Sequence, residues 1–430
     1  MSSAFPPDSS SWDGLWARSP GLPHAPLDEE TRTRMNLPGT LLPAPEGLTQ
    51  PAVFDPAMQQ FSNAYRAGEP RFEDEETARA WRGARRTVLD VVLAAIADGP
   101  WATQLVLRGS VLMATWFPGA ARDPGDLDFV AVPKEWAVTG PGIAALFEGI
   151  ARAAATAAPD GVVAIDADGA VTEDIWTYDR VPGRRMLLPW TAPGTAGGTV
   201  QLDVVFDETL PAPAVLTELS PLGAGPGCRV LAATPQLSLA WKLLWLVSDA
   251  HPQGKDLYDA VLLAEHSPPS YEGLRDAFVL GGPDGLRPGG RWWLDELHME
   301  NGWAHFTAEH PWVEGTAESH TARLERALAP VLQVAEPQGE HAYDRWARWL
   351  SPLVDTCRTS GAARPATPPS HLAESEGNGL TAAVVVVREV LGRGAVSTEE
   401  ALDVVLSHGA FDGWRNHHAI ARAHVLGQLS

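Results

Sequence analysis

Apolar and polar positions along the chain fall into segments of contrasting period. Across residues 77–97, Val88, Leu89, Val92, Leu93 and Ile96 recur at three- and four-residue spacings, which predicts an amphipathic helix packed on a sheet. An alanine-rich helix follows over 143–157. Residues 105–107 read as a short buried strand, 126–132 and 199–206 as longer strands, and 162–165, 175–178 and 185–188 as further candidates. Together these predict an α+β core, a mixed sheet with helices packed around it. Thr234 suits an N-cap and Pro235 a first helical position, so a helix should cover 235–247. A second helix starts after Pro252-Gln253-Gly254, and its first turns carry Asp256 and Asp259, which at i and i+3 share a face.

The same patterning suggests the division of the chain. Residues 1–52, rich in Pro, Ser and Gly, are expected to be an extended or disordered arm, and 53–266 the core, closed by Ser267-Pro268-Pro269. Residues 267–360 are expected to form a helical subdomain with Trp292, Trp293, Trp303, Trp312, Trp346 and Trp349. Such rings can stack on a base, but ordinary burial preference places them in a core. A linker at 361–379 and a small helical tail at 380–430 complete the scheme. The paired His417-His418 of the tail lacks an evident third ligand.

Polar residues placed inside apolar segments mark the candidate chemistry. Gly109-Ser110, between the 105–107 strand and a short helix over 111–116, lets the backbone approach a polyphosphate whose charge a helix N-terminus favours. Asp126 and Asp128 alternate with Leu127 and Phe129, so both carboxylates face one side of the sheet while the apolar pair enters the core. Two adjacent oxygen ligands suit Mg²⁺ completed by substrate phosphates. Asp203, inside the 199–206 strand, costs desolvation unless it is paired or binds a cation. It is therefore either a third metal carboxylate or a satisfied strand residue. Lys242, amid Leu239, Leu243, Trp245 and Leu246, must either snorkel to solvent or meet a buried anion.

The order Gly109-Ser110, Arg122-x-x-x-Asp126-x-Asp128, Asp203, Lys242 and Lys255-Asp256-Leu257-Tyr258-Asp259 resembles the AbiEii/AbiGii-type nucleotidyltransferase toxin family of the DNA polymerase β-like superfamily, over roughly residues 85–265. Pro124 stands where the family has Ser, Trp241 where it has Glu, and Lys255 where it has Arg. The resemblance implies a polymerase-β-like nucleotidyltransferase core with helical C-terminal additions. It also implies transfer of a nucleoside monophosphate from a nucleoside triphosphate to an acceptor hydroxyl. In that scheme Asp126, Asp128 and Asp203 hold Mg²⁺ or Mn²⁺, with Asp203 also orienting the acceptor. Gly109, Ser110, Arg122, Lys242 and Asp259 bind the nucleotide, and Lys242 and Asp256 act beside the phosphates. The resemblance further implies a toxin-like role opposed by an antitoxin, with a tRNA 3′ end or a protein as acceptor. Small-molecule nucleotidyl transfer, as to an aminoglycoside, and non-catalytic nucleotide binding are the alternatives.

Composition narrows the partners. The net charge of −22 opposes sequence-independent grip on long nucleic acid, which relies on Lys and Arg, so extended DNA binding is not expected. Arg82, Arg85 and Arg86 share a helix face and Arg184-Arg185 sit between the acidic strands. These form either a local basic face or simply charged helix decoration, the plainer reading. Two cysteines, Cys228 and Cys357, exclude a disulfide framework. No apolar run approaches the ~18 residues of a membrane span, and no secretory signal is evident at the start, so a cytoplasmic protein is expected.

Overall fold

Asp74, whose carboxylate accepts the Thr77 amide at 2.8 Å, caps the longest helix of the chain, and Glu75 and Glu76 in its first turn complement the dipole. The computed structural model describes residues 12, 21–134, 136, 138–177, 181–249, 252–297, 299–359 and 367–430. The chain forms two compact units, Met1–Glu208 with Ala214–Ala233, and Thr209–Pro213 with Thr234–Ser430.

The first unit contains α1 (Glu29–Met35), β1 (Ala52–Phe54), β2 (Tyr65–Ala67), α2 (Glu75–Asp98), β3 (Leu105–Arg108), α3 (Ser110–Trp116), β4 (Asp126–Ala131) and α4 (Pro141–Ala157). It continues through β5 (Ala164–Ile165), β6 (Val171–Thr177), β7 (Val181–Thr191), β8 (Gly198–Val205), β9 (Val215–Leu219) and β10 (Cys228–Ala232). Among the described residues one sheet runs β5-β7-β8-β4-β3-β10-β9, with β6 also paired to β7. β4 is parallel to β8 and β3 to β10, and the other pairs are antiparallel. The sheet is therefore mixed and the class α+β, as expected. The predicted helices at 77–97 and 143–157 are α2 and α4. The face of α2 from Val88 to Ile96 is buried, and the helix packs on α4, β8 and β10.

Two parts of this unit differ from expectation. The segment 1–52, expected as an arm, is packed where it is described: Trp12, Leu22, Met35, Leu37, Leu41 and Ala44 form a buried cluster, and Asp28 caps α1. Its prolines and glycines turn the chain back on itself and so erase any period without preventing burial. The β9–β10 hairpin was not anticipated, because Val215 and Leu216 are exposed and the joining residues are rich in Gly and Pro. Its loop is tied down by Asp90 of α2, which accepts the amides of Leu222 and Gly223 at 2.8 Å each. Of the expected strands, 162–165 shrinks to β5, 175–178 becomes β6 and 185–188 extends to β7, with Tyr178 outside the described residues.

The second unit is helical: α5 (Pro235–Ser248), α6 (Gly254–His266), α7 (Tyr271–Gly281), α8 (Trp292–Asp295), α9 (Glu300–Glu309), α10 (Ala317–Ala335), α11 (Ala342–Trp349), α12 (Ser351–Thr359), α13 (Glu376–Leu391), α14 (Thr398–Leu406), α15 (Asp412–Arg415) and α16 (His418–Leu429). Thr234 caps α5 through the Leu237 amide. The division expected at 266, 360 and 379 is replaced by one boundary near 234. Residues 361–366 of the expected linker lie outside the described residues, and Ser370–Glu374 forms a 3-10 turn. The expected tail is not peripheral. From Leu380 to Val387 every residue of α13 is buried, and α13 packs on α11, α12, α14 and α16. A helix apolar on all sides must be enclosed. Trp293, Trp303, Trp346 and Trp349 are core of this unit, whereas Trp312 is exposed. Among the described residues no helix is long and apolar enough to cross a membrane.

Candidate functional site

The turn after β3 and the start of β4 build one compact polar site in the first unit. Gly109 joins β3 to α3 with φ +84°, a left-handed conformation that favours glycine. A Cβ there would lie 2.5 Å from Asp128 Oδ2, so the absence of a side chain lets this turn close directly over the Asp128 carboxylate. Ser110 Oγ donates to Asp126 Oδ1 at 3.2 Å. Leu127 and Phe129 are fully buried while Asp126 and Asp128 are half-exposed, which is the alternation expected of β4. The glycine-serine turn and the two carboxylates are thus one structure.

Strand register extends the site sideways. Arg108 of β3 lies opposite Asp128, Asp128 opposite Asp203 of β8, and Asp203 opposite Arg185 of β7. Residues directly opposite share a sheet face. Four neighbouring strands therefore carry a row of charges ordered plus, minus, minus, plus. Arg108 is buried and donates through Nη1 to Glu208 Oε2 at 2.6 Å. Arg185 forks onto Asp203, Nε to Oδ1 at 2.9 Å and Nη2 to Oδ2 at 2.8 Å, and Gln201 Nε2 reaches Oδ2 at 3.0 Å. The third nitrogen of Arg185 donates to Asp55, which lies just before the Pro56–Met58 turn.

Asp203 stands beside Asp128, and both of its oxygens are engaged by Arg185. The three carboxylates expected at a metal thus lie on two paired strands, Asp126 and Asp128 on β4 and Asp203 on β8. Burial raises the Asp203 carboxyl above its ordinary range against the pull of Arg185, and the Asp126 and Asp55 carboxylates add to the rise. Burial also opposes the charge on Asp55, but the Arg185 and Arg66 guanidinia outweigh it and hold that carboxyl below its usual range. Arg185 and Asp55 went unassigned in the sequence, where only the Arg184-Arg185 doublet signalled anything. Arg122 is half-buried in the loop before β4, where Pro124 follows it. The three α2 arginines expected on one face are each paired, Arg82 with Glu75, Arg85 with Glu69 and Arg86 with Asp123.

A second ionic centre lies within the helical unit. Lys242 of α5 is 5% exposed, and its Nζ lies 2.6 Å from Asp256 Oδ1 and 3.3 Å from Asp259 Oδ2 on α6. Snorkelling is excluded, and the buried anion is present. Asp256 and Asp259 share the α6 face toward Lys242, as their i, i+3 spacing requires. Neither caps the helix, whose N-cap is Gln253. Trp241, which stands where the resembled family has Glu, is core and stacks on Trp245, over whose ring the Lys242 ammonium sits at 5.2 Å. Lys255 is half-buried at the start of α6.

Residues 91–311, just over half of the chain, match the model of the nucleotidyl transferase AbiEii toxin family of type IV toxin–antitoxin systems. The chain belongs to the AbiEii family. No curated protein matches it. The matched segment covers β3 to β10 and the Lys242 centre, so both polar centres lie inside the AbiEii region. Asp55 lies outside it.

The oxygen-only donor set of Asp126 and Asp128, half-exposed and side by side, fits Mg²⁺, which needs one or two carboxylates and takes its other ligands from phosphates and water. The bare Gly109 backbone over Asp128 is a cradle that any Cβ would fill.

Proposed function

We propose that this AbiEii-family chain is a Mg²⁺-dependent nucleotidyltransferase that moves a nucleoside monophosphate from a triphosphate to an acceptor hydroxyl. The observation carrying this reading is the closure of the Gly109-Ser110 turn over the Asp126–Asp128 pair within the family-matched region. Asp126 and Asp128 would hold the cation, which when bound offsets the charge of the phosphates. The Gly109-Ser110 backbone lies against the phosphates, where a side chain would block approach. Asp203, charge-compensated by Arg185, orients the acceptor hydroxyl rather than the first cation.

A tRNA 3′ end or a protein is the proposed acceptor, and an antitoxin the proposed partner, as the type IV system implies. A small polycationic acceptor is the second reading, favoured by the net charge of −22. The deciding experiment incubates the full chain with each labelled triphosphate, Mg²⁺ and cell extract, and follows label into RNA, protein or small molecules. Asp126→Asn and Asp128→Asn should each lower transfer by about a hundredfold or more with the melting temperature retained, because one lost ligand empties a two-carboxylate site. Transfer unchanged in both variants would refute the assignment.

A further inference from the structure

Three charged side chains, Asp55, Arg185 and Asp203, stand end to end and buried in the first unit, exposed by 4%, 4% and 8%. Burying such a chain is costly unless each member is paired with good geometry. Here the pairing is near complete: the Arg185 fork takes both Asp203 oxygens, its remaining nitrogen takes Asp55, and Arg66 lies 3.9 Å from Asp55. Asp55 reaches β7 because its segment is docked on β6. Gln60 donates to the Asp174 carbonyl at 2.7 Å, Gly39 donates to Glu173 at 2.8 Å, and Met58 and Ala64 pack on Ile175. A fixed guanidinium at this place settles where the third acid of the row can point and how much of its charge its neighbour Asp128 feels.

We propose that Arg185, anchored by Asp55, is a positioning residue that holds Asp203 as a fixed, charge-compensated neighbour of Asp128, so that the free chain binds its first divalent cation through Asp126 and Asp128 alone. This rests on the metal-dependent reading above. It makes the N-terminal segment, which lies outside the family-matched residues, part of the working site. Releasing Asp203 from Arg185 would add its charge to the pair and tighten the hold on a cation, while leaving the acceptor side without a fixed carboxylate. Metal affinity and turnover should then move in opposite directions, which a purely structural role for Arg185 does not produce.

The test is Mn²⁺ titration of the purified full chain, read by electron paramagnetic resonance, beside nucleotidyl transfer and melting temperature. Asp128→Asn should weaken Mn²⁺ binding about tenfold or more, Asp203→Asn should weaken it only about threefold by leaving Arg185 uncompensated, and Arg185→Gln should tighten it about threefold or more. The gain from Arg185→Gln should vanish in Arg185→Gln/Asp203→Asn, since it comes through Asp203. Arg185→Lys, which keeps the charge but not the fork, should show a smaller gain and serves where the Gln variant does not fold. Asp55→Asn should lower kcat about fivefold with the KM for triphosphate within about twofold, because a misplaced group costs rate more than binding. The proposal is overturned if Asp203→Asn weakens Mn²⁺ binding as much as Asp128→Asn, or if the Arg185 variants leave affinity unchanged. Unchanged kcat in Asp55→Asn overturns the anchoring role. Mn²⁺ binding that survives both Asp126→Asn and Asp128→Asn refutes the underlying metal site instead, and the Arg185 and Asp203 arms cannot mimic that result.

Discussion

Replacing Lys242 by Met separates the part this residue plays in the fold from its part in chemistry. Met keeps the aliphatic volume and helix propensity, so the change removes mainly one positive charge. That charge sits 2.6 Å from Asp256 and 3.3 Å from Asp259, carboxylates that are 1% and 0% exposed. Removing one partner of a buried ion pair costs about 3–5 kcal/mol, because the remaining charge is left desolvated. Two carboxylates share this ammonium, which places the cost toward the upper end. For a unit of roughly 200 residues each kcal/mol moves the melting temperature by about 2–4 °C, so a fall of about 6–20 °C is expected. Lys242→Met/Asp256→Leu/Asp259→Leu, which removes every charge of the centre, should regain most of that loss. Calorimetry on the three proteins reads the stability, and Mg-triphosphate titration reads the function. A Lys242→Met melting temperature within about 2 °C of wild type would refute the burial argument. Normal triphosphate binding by the charge-free variant would refute any role for Lys242 toward phosphate.

Gly109→Ala places a Cβ 2.5 Å from the Asp128 carboxylate at a backbone position of φ +84°, which costs about 1–3 kcal/mol and displaces Asp128. It should weaken Mn²⁺ binding more than its modest change in melting temperature predicts, and unaltered Mn²⁺ affinity would contradict the cradle. Deleting 367–430 should leave the helical unit insoluble. The buried Leu380 and Val384 to Val387 alone contribute on the order of 10 kcal/mol, comparable to the stability of a whole domain. A soluble, cooperatively melting truncation would show that α13 is dispensable. Burial and a hydrogen bond to Glu389 push the Tyr343 phenol up to about 12, so the fold holds this proton more tightly than the unfolded chain does. The resulting stabilisation is complete below the unfolded value of about 10 and is lost as pH rises from 10 to 12, so the stability advantage of wild type over Tyr343→Phe should shrink across that window. An advantage constant with pH would refute it.

The two halves of the site differ in how legible they are in the sequence, and the reason is the range of the interactions. Asp126 and Asp128 can be placed on one face from the two-residue period of β4 alone, and Gly109-Ser110 marks a turn from residues adjacent in the chain. For Lys242 a mid-helix ammonium among apolar neighbours leaves two alternatives, solvent or a buried anion, and Asp256 lies only 14 positions on in the sequence. The partner of Asp203 is another matter. Arg185 meets it only because β7 and β8 pair antiparallel in one register, and a slip of one residue would turn Arg185 to the opposite face. Asp55 is farther still, 130 positions from Arg185, in a segment without hydrophobic period. The enclosure of α13 has the same character: its apolar run is local, but the helices that enclose it are set only by tertiary packing. What sequence pattern supplies here is therefore the Asp126–Asp128 pair, and what tertiary register supplies is the Arg185 guanidinium that engages Asp203.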